Sequence, residues 1–456
     1  MAAKTRSIAT GLLALVLLAG GCSRGGSEDA GPAGTGPGDF GDLKGICHTG
    51  NATGAPAQGV TAGEIELGVF TDAGFTRNSE FVDTAKVFTS WCNDHGGIGG
   101  RRLVIDIHDA KLMEVRQRML DACRDDFALV GGGAALDGLG VKDRLSCLLP
   151  DFPAQVDQVQ NSGSDLQVGG GANAAGPHDS YTGFHEWLFK ERYPASASAV
   201  GLINGDTPVT RVIGQQYAEA LPVEGAKIVY NDLYPAMGVP DWTPYAQAIK
   251  DKGVKGLIFL GDFHSLAKLE DVLSTMDYTL DWIDSNSNSY TSQFLQLAGT
   301  SLTTQHNYAD LGITVPLESA TTTPALRQAK DMFARYAPGR DLTFPALRAF
   351  SQWALFAKAA GSCGNTLTRK CVYEAAIAEH AWTGGGLQAP ADLAPTSTAV
   401  QSCFLAVAAT PGGWKIPDFE PDRGPFRCDI APYAFTGDYG RPMTLADVGK
   451  SVNDFR

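Results

Sequence analysis

From residue 64 onward, strand-like and helix-like runs alternate, and this alternation limits the possible folds more than any other feature. "EIELGVF" (64–70) is a strand, and Phe81, Ala85, Phe88 and Trp91 then recur at helical spacing. "RLVIDIHD", "LMEVRQRMLDAC", "FALVGGG" and "LGVKDRLSC" continue as strand, helix, strand, helix. A second series follows a break at "SGSDLQVGGGANAAG" (162–176): "SAVGLIN", "TRVIGQQYAEAL", "KIVYNDLY", "YAQAIKDKG", "GLIFLGDF", "SLAKLEDVLSTM" and "LDWIDSN". Alternation of this kind gives parallel sheets with helices on both faces. Two series predict an α/β protein of two lobes, repeated in architecture but not in sequence.

Between the first helix and the second strand lies "SWCNDHGGIGGRRLVIDIHDA" (90–110), with four glycines in five positions. A phosphate-cradling loop follows a strand and opens a helix, so that the anion meets the helix N-terminus. Here the order is reversed, and neither G-x-G-x-x-G nor a P-loop lysine is present. Gly96 or Gly97 is expected to close the helix in the left-handed conformation, and Gly99 and Gly100 to turn the chain into the strand.

The N-terminus reads as an address. Lys4 and Arg6 precede "IATGLLALVLLAG" (8–20), too short to span a bilayer and suited to a secretory signal core. Cys22 follows a small-residue cleavage site, which predicts a lipidated first mature residue after a signal over 1–21. Ala19 stands where a lipoprotein signal carries a bulky aliphatic, and an ordinary secretory signal is the alternative. Residues 22–59 begin "CSRGGSEDAGPAGTGPGDFG" and are expected to form a flexible tether. The chain is thus placed outside the cytoplasm, held to the membrane only by its lipid.

With 36 basic and 50 acidic residues the net charge is −14, and without a basic patch nucleic acid is not an expected partner. Nine cysteines, less Cys22, leave Cys47, Cys92, Cys123, Cys147, Cys363, Cys371, Cys403 and Cys428, an even set suited to disulfides in an oxidising compartment. Eight cysteines allow 105 connectivities. Cys363 and Cys371 flank the short turn "CGNTLTRKC", and Cys403 and Cys428 bracket a strand and its return, so each pair is expected to bond. No Cys-x-x-Cys occurs, the eight histidines are scattered, and "FHEWLF" (184–189) lacks the second histidine of a zinc-protease helix, so no metal or cofactor is expected. "NSGSD" around Ser164 is not a nucleophile elbow, and no acid/base pair stands out, so an exported hydrolase is the minor alternative to a non-enzyme.

"GVTAGEIELGVFTD" followed by "NDHGGIGGRRLVIDIHDA" resembles the opening of type I periplasmic binding proteins, in particular the branched-chain amino acid binding family of ABC importers. Asn93, Gly96, Gly97, Ile98, Gly100 and Arg101 match its Asn-x-x-Gly-Gly-Ile-x-Gly-Arg signature, and Asp109 matches its acidic strand end. "NSYTSQFLQLAG", the run from "ALRAFSQWALFAKAAG" to "CVYEA", and "AWTGGGLQAP" extend the likeness over most of residues 60–430. The resemblance implies two Rossmann-like lobes joined by three hinge crossings. These are placed near Gly169–Gly171, before "PALRAFSQWALFAKAAG", and through "LQAPADLAPTSTAV". Lobe one then comprises 60–170 and 340–400, and lobe two 171–339 and 401–456. In that topology Cys123 pairs with Cys147, and Cys47 with Cys92.

Ligands of open α/β sheets lie outside the carboxyl ends of the strands. The cleft candidates are therefore Thr71, Asp72, Phe75, Gly132 and Gly133 in lobe one. In lobe two they are Asp206, Asp262, Phe263, Asn286, Asn288 and Tyr290, with Thr207, Asp232, Tyr234 and Ser287 beside them. Amino-acid binders of the family hold the ligand carboxylate with a hydroxyl-rich loop after the third strand, whereas here that loop reads "GGGAALDG". An amino acid, an amide, an organic acid or a larger apolar solute all remain open. The function expected is capture of a small solute, by a monomer, for an ABC permease. Ligand sensing for a membrane signalling partner is the alternative.

Overall fold

In a computed structural model of the chain, residues 36–169, 176–395 and 402–455 are described. The signal, Cys22, the start of the tether, Gly170 and Gly171 of the first crossing and residues 396–400 of the third lie outside them.

The first series forms a four-stranded parallel sheet from β1 (Glu64–Thr71), β2 (Arg102–Asp109), β3 (Ala128–Val130) and β4 (Asp151–Phe152), in the order β2-β1-β3-β4. The second contributes β5 (Val200–Asp206), β6 (Ile228–Pro235), β7 (Gly256–Leu260), β8 (Trp282–Asp284) and β9 (Asn307–Asp310), all parallel. β10 (Ala406–Thr410) adds antiparallel to β9 and turns back into β11 (Gly413–Lys415), giving the order β11-β10-β9-β8-β7-β5-β6. β7 is buried at every residue and β5 at all but Asp206, because helices cover both faces. That is why these strands are near-continuous apolar runs, while edge strand β6 is mostly open to solvent.

The opening glycines serve the chain path. The helix Glu80–Asp94 ends, Gly96 and Gly97 take φ of 99° and 73°, and Gly97 N–H donates to Cys92 O at 2.8 Å. Ile98 and Arg101 then pair across Gly99–Gly100. A Cβ on Gly100 would stand 2.4 Å from Gly50 O, so this turn is also where residues 48–50 approach. The other signature residues are structural as well. Asn93 bridges both backbone groups of Leu103, and buried Arg101 donates to the carbonyls of Thr61, Thr53 and Gly364.

Three boundaries differ from expectation. Residues 36–59, assigned to the tether, are folded onto lobe one. Phe40 is fully buried, stacks on Phe350 at 5.6 Å and meets Trp91 at 6.2 Å, and Cys47 bonds to Cys92. The local composition is that of a linker, but Phe40, Ile46 and Cys47 find an apolar face on the helix Glu80–Asp94. The helix Pro324–Tyr336, placed in lobe two by a boundary at 339, packs on that same lobe-one helix, with Tyr336 Oη donating to Asp94 at 2.8 Å. The second passage between lobes is therefore Ile313–Val315. It runs antiparallel to Leu387–Ala389 of the third, with Ala389 N–H donating to Ile313 O at 2.8 Å. Finally, the C-terminal residues are not confined to lobe two. Tyr433, Thr436 and Tyr439 bind Glu219 in lobe two, after which Met443, Leu445 and Phe455 settle on lobe one against Gln160, Val141, Leu145 and Tyr373. The tail is a fourth passage between lobes.

The eight cysteines form Cys47–Cys92, Cys123–Cys147, Cys363–Cys371 and Cys403–Cys428. No helix among the described residues is long and apolar enough to cross a membrane.

Candidate functional site

The cleft candidates do stand at the carboxyl ends of the strands, but many of their polar atoms are engaged by the protein itself. Asp72 is buried, and its carboxylate accepts Leu112 N–H at 2.6 Å and Ala135 N–H at 2.8 Å, tying together the loops after β1, β2 and β3. It thereby holds Lys111 and Leu112, both at positive φ. Buried Thr71 accepts Ala73 N–H, and Phe75 is 51% exposed. Gly132 and Gly133 allow close passage, since a Cβ on Gly132 would stand 2.6 Å from the Phe70 backbone and one on Gly133 2.8 Å from Gln155.

In lobe two, Asp262 is the N-cap of the helix Phe263–Thr275 and accepts the amides of His264 and Ser265, while Phe263 stacks on His264. Asn286 sits at φ 52°, donates to Phe259 O at 3.0 Å and accepts Asn288 N–H at 2.9 Å, so it ties the end of β7 to the loop after β8. Asn288 is exposed, with Ser287 beside it in the same turn. Tyr290 is buried against Phe344 and Trp414 with its hydroxyl on Glu318. Asp206 pairs with Arg211, which holds its carboxyl below the usual range, and Thr207 caps the following helix. Asp232 is exposed on the edge strand, and Tyr234 is buried against Trp242 and Phe259.

Arg348, which the strand-end argument does not reach, lies in the first turns of the lobe-one helix Phe344–Cys363. Its guanidinium lies 5.4 Å from the Phe344 ring centre and donates no hydrogen bond among the described residues. Burial lowers its pKa, while Tyr181, Asp157 and Asp310 act on it electrostatically in the opposite sense. Asp157 belongs to the lobe-one segment after β4, whereas Tyr181 and Asp310 belong to lobe two. Burial pushes Asp157 up to about 7, with Asp137 adding to the effect and the Gln155 amide opposing it. Asp310 is likewise pushed up to about 7 by burial, against hydrogen bonds from the Gly312 and Leu405 amides. One cation and two carboxyls of raised pKa, drawn from both lobes, thus face a common region. Gln155 and Asp137 also border a small recess beside Gly132 and Gly133, lined in part by Phe70, Val115, Met119 and Leu129.

The family model described as "Periplasmic binding protein" matches residues 174–413, more than half of the chain. The chain belongs to this family. Its members bind small-molecule solutes outside the cytoplasm and work with ABC transporter permeases, so this periplasmic binding protein is a solute binder of that type. A search of curated protein sequences finds no match. Among solved structures, a fatty acid ABC transporter substrate-binding protein from Thermomonospora curvata is similar at a TM-score of 0.68 and 13% identity, covering 84% of this chain and 97% of its own. A possible leucine/isoleucine/valine-binding protein from Rhodopirellula baltica gives 0.64 and 14%, over 81% and 99% of the two chains. A branched-chain amino acid transporter substrate-binding protein from Streptococcus pneumoniae, solved with isoleucine, gives 0.61 and 14%, over 78% and 100%. At these identities the likeness is one of fold: two lobes of type I periplasmic binding architecture.

Proposed function

We propose that this periplasmic binding protein captures a small solute bearing a carboxylate between its lobes, with Arg348 as the receiving group, and delivers it to an ABC permease from a lipid anchor at Cys22. The observation that carries the reading is the unpaired Arg348 guanidinium at the junction of the lobes. Half-buried Arg348 leaves its guanidinium free to receive a ligand, and a carboxylate matches its fork with two parallel bonds. Asp157 and Asp310 flank the same region, which suits a solute whose other end carries a donor such as an ammonium. This supports an amino acid or short organic acid over an amide or a sugar. The relatives named for a fatty acid and solved with isoleucine take carboxylates too. Contacts drawn from both lobes favour the closed state by their differential binding.

The test is thermal unfolding of the oxidised protein against paired carboxylates and their amides, for the wild type and Arg348→Gln. A carboxylate at 100 times its Kd stabilises by about 2.7 kcal/mol. Loss of a charge-assisted bond worth about 1.5–3 kcal/mol weakens binding roughly 10- to 150-fold. Amides that bind as well as acids, or an Arg348→Gln variant of unchanged affinity, overturn the reading. Membrane fractionation of Cys22→Ala checks the anchor: the variant is expected in the soluble fraction, and its retention on membranes refutes lipidation at that residue.

A further inference from the structure

A second constellation in lobe two has no part in the strand-end argument. Asp179 precedes the short helix Thr182–Glu186, His185 lies within that helix, and Glu224 is the last residue of the helix Pro208–Glu224. They are 2%, 0% and 5% exposed. One ligating atom from each lies within 4.8 Å of the others. Yet Asp179 Oδ2, His185 Nδ1 and both Glu224 carboxylate oxygens have no hydrogen-bond partner among the described residues. Buried polar atoms are seldom left so, and here four converge.

His185 Nε2 lies 3.0 Å from Asp284 Oδ2, and Asp284 is itself held by Asn286 N–H at 2.9 Å. With Nε2 on Asp284, Nδ1 is the ring nitrogen left to the cluster. A divalent cation would satisfy the four unpartnered atoms together. Tyr181 stacks on His185 at 6.0 Å and Tyr217 meets it edge-on at 5.0 Å, walling the imidazole in with aromatic rings.

We propose that Asp179, His185 and Glu224 form a structural site for a first-row divalent cation, Zn²⁺ foremost. Asp284 is the outer carboxylate that orients the histidine. One nitrogen and the oxygens of two carboxylates are donors that zinc accepts, and Glu224 has both of its oxygens to offer. Ligands around zinc at about 2.0–2.2 Å stand roughly 3.3–3.6 Å apart, a modest contraction of the present spacing. The cation would join the segment that enters lobe two to the end of the helix Pro208–Glu224 and, through Asp284, to β8. It would also fix Tyr181, which stacks on His185 and acts electrostatically on Arg348. Complete burial leaves no open coordination position, so the role is structural.

The test uses the full oxidised chain. Metal content is measured on protein from zinc-supplemented cells, then again after unfolding in chelator and refolding with Zn²⁺ or Co²⁺, disulfides intact. The expected result is one metal per chain, a metal-dependent rise in Tm, and Co²⁺ absorption bands of a tetrahedral nitrogen/oxygen site. Glu224→Gln and Asp179→Asn keep side-chain volume and are expected to lose the bands and the Tm rise. Asp284→Asn keeps the three ligands and is expected to weaken binding about 10- to 100-fold. Absence of stoichiometric metal in the folded wild type overturns the proposal. So does undiminished binding in the variants, which would mean adventitious capture at exposed histidines.

Discussion

Ala389 N–H donates to Ile313 O across 2.8 Å, and both residues are buried, so two passages between the lobes form one antiparallel ribbon. Ala389→Pro removes the donor and leaves the Ile313 carbonyl without its partner. Loss of about 1–3 kcal/mol is expected, read from urea unfolding with far-UV circular dichroism unchanged. A variant as stable as the wild type would show that the ribbon does not hold the lobes.

Glu270 is fully buried, accepting Ser301 Oγ at 2.9 Å and the Asn307 amide at 3.1 Å. Burial raises its pKa from an ordinary 4.5 to about 7, against those two hydrogen bonds. A raised folded pKa means that the native state binds the extra proton. Its contribution is full below pH 4.5 and is lost as pH rises through about 7. Glu270→Gln is therefore expected to match the wild type near pH 4 and to exceed it at pH 8 by on the order of 3 kcal/mol. Urea midpoints across that range check it, and a gain independent of pH would refute the assignment.

Glu219 shifts the other way. The Thr436 amide and the Tyr439 hydroxyl, with the Thr436 and Tyr433 hydroxyls, lower its pKa to about 2. The stability it contributes is present above the unfolded value of 4.5 and disappears as pH falls through about 2. The stability difference between wild type and Glu219→Gln should be constant above pH 5 and shrink toward pH 2. Hydrogen exchange should also show residues 433–440 opening more readily in the variant. Equal protection in both proteins would mean that the tail is held by other contacts.

The disulfides close loops of different length. The bond Cys47–Cys92 spans 45 residues and Cys363–Cys371 spans 8. By loop-closure entropy, paired Cys→Ser replacement costs about 4 kcal/mol for the first and about 2.5 kcal/mol for the second. Only the first should expose residues 36–59 to limited proteolysis. Equal costs, or an intact N-terminal segment without the bond, would count against this.

Much of the architecture was legible along the chain. The period of the apolar residues separates strands from helices, and the order helix, glycines, strand excluded a phosphate loop at Gly96–Gly100, because backbone conformation there is a local matter. Cys363–Cys371 and Cys403–Cys428 were legible because each brackets one local turn or strand return. The strand-end loops located the cleft residues, but not which of them have polar atoms to spare. Asp72 and Asn286 are taken up by backbone groups of distant loops, and no local pattern announces that. Arg348 sits in a helix that is buried along most of its length, and no local pattern shows which distant groups it faces.

What the sequence determined by itself is therefore what short-range physics controls: the alternation, the turns, the closing of helices and an even cysteine set. Only the tertiary structure decided where Phe40 and Phe455 would be buried, and which charges would meet from separate segments. Asp179 with His185, Glu224 and Asp284 come from three separate places in the chain, and Arg348, Asp157, Tyr181 and Asp310 from four. Burial and long-range contact belong to the packed assembly of elements, because desolvation and Coulomb energy depend on distance in space and not on separation along the chain.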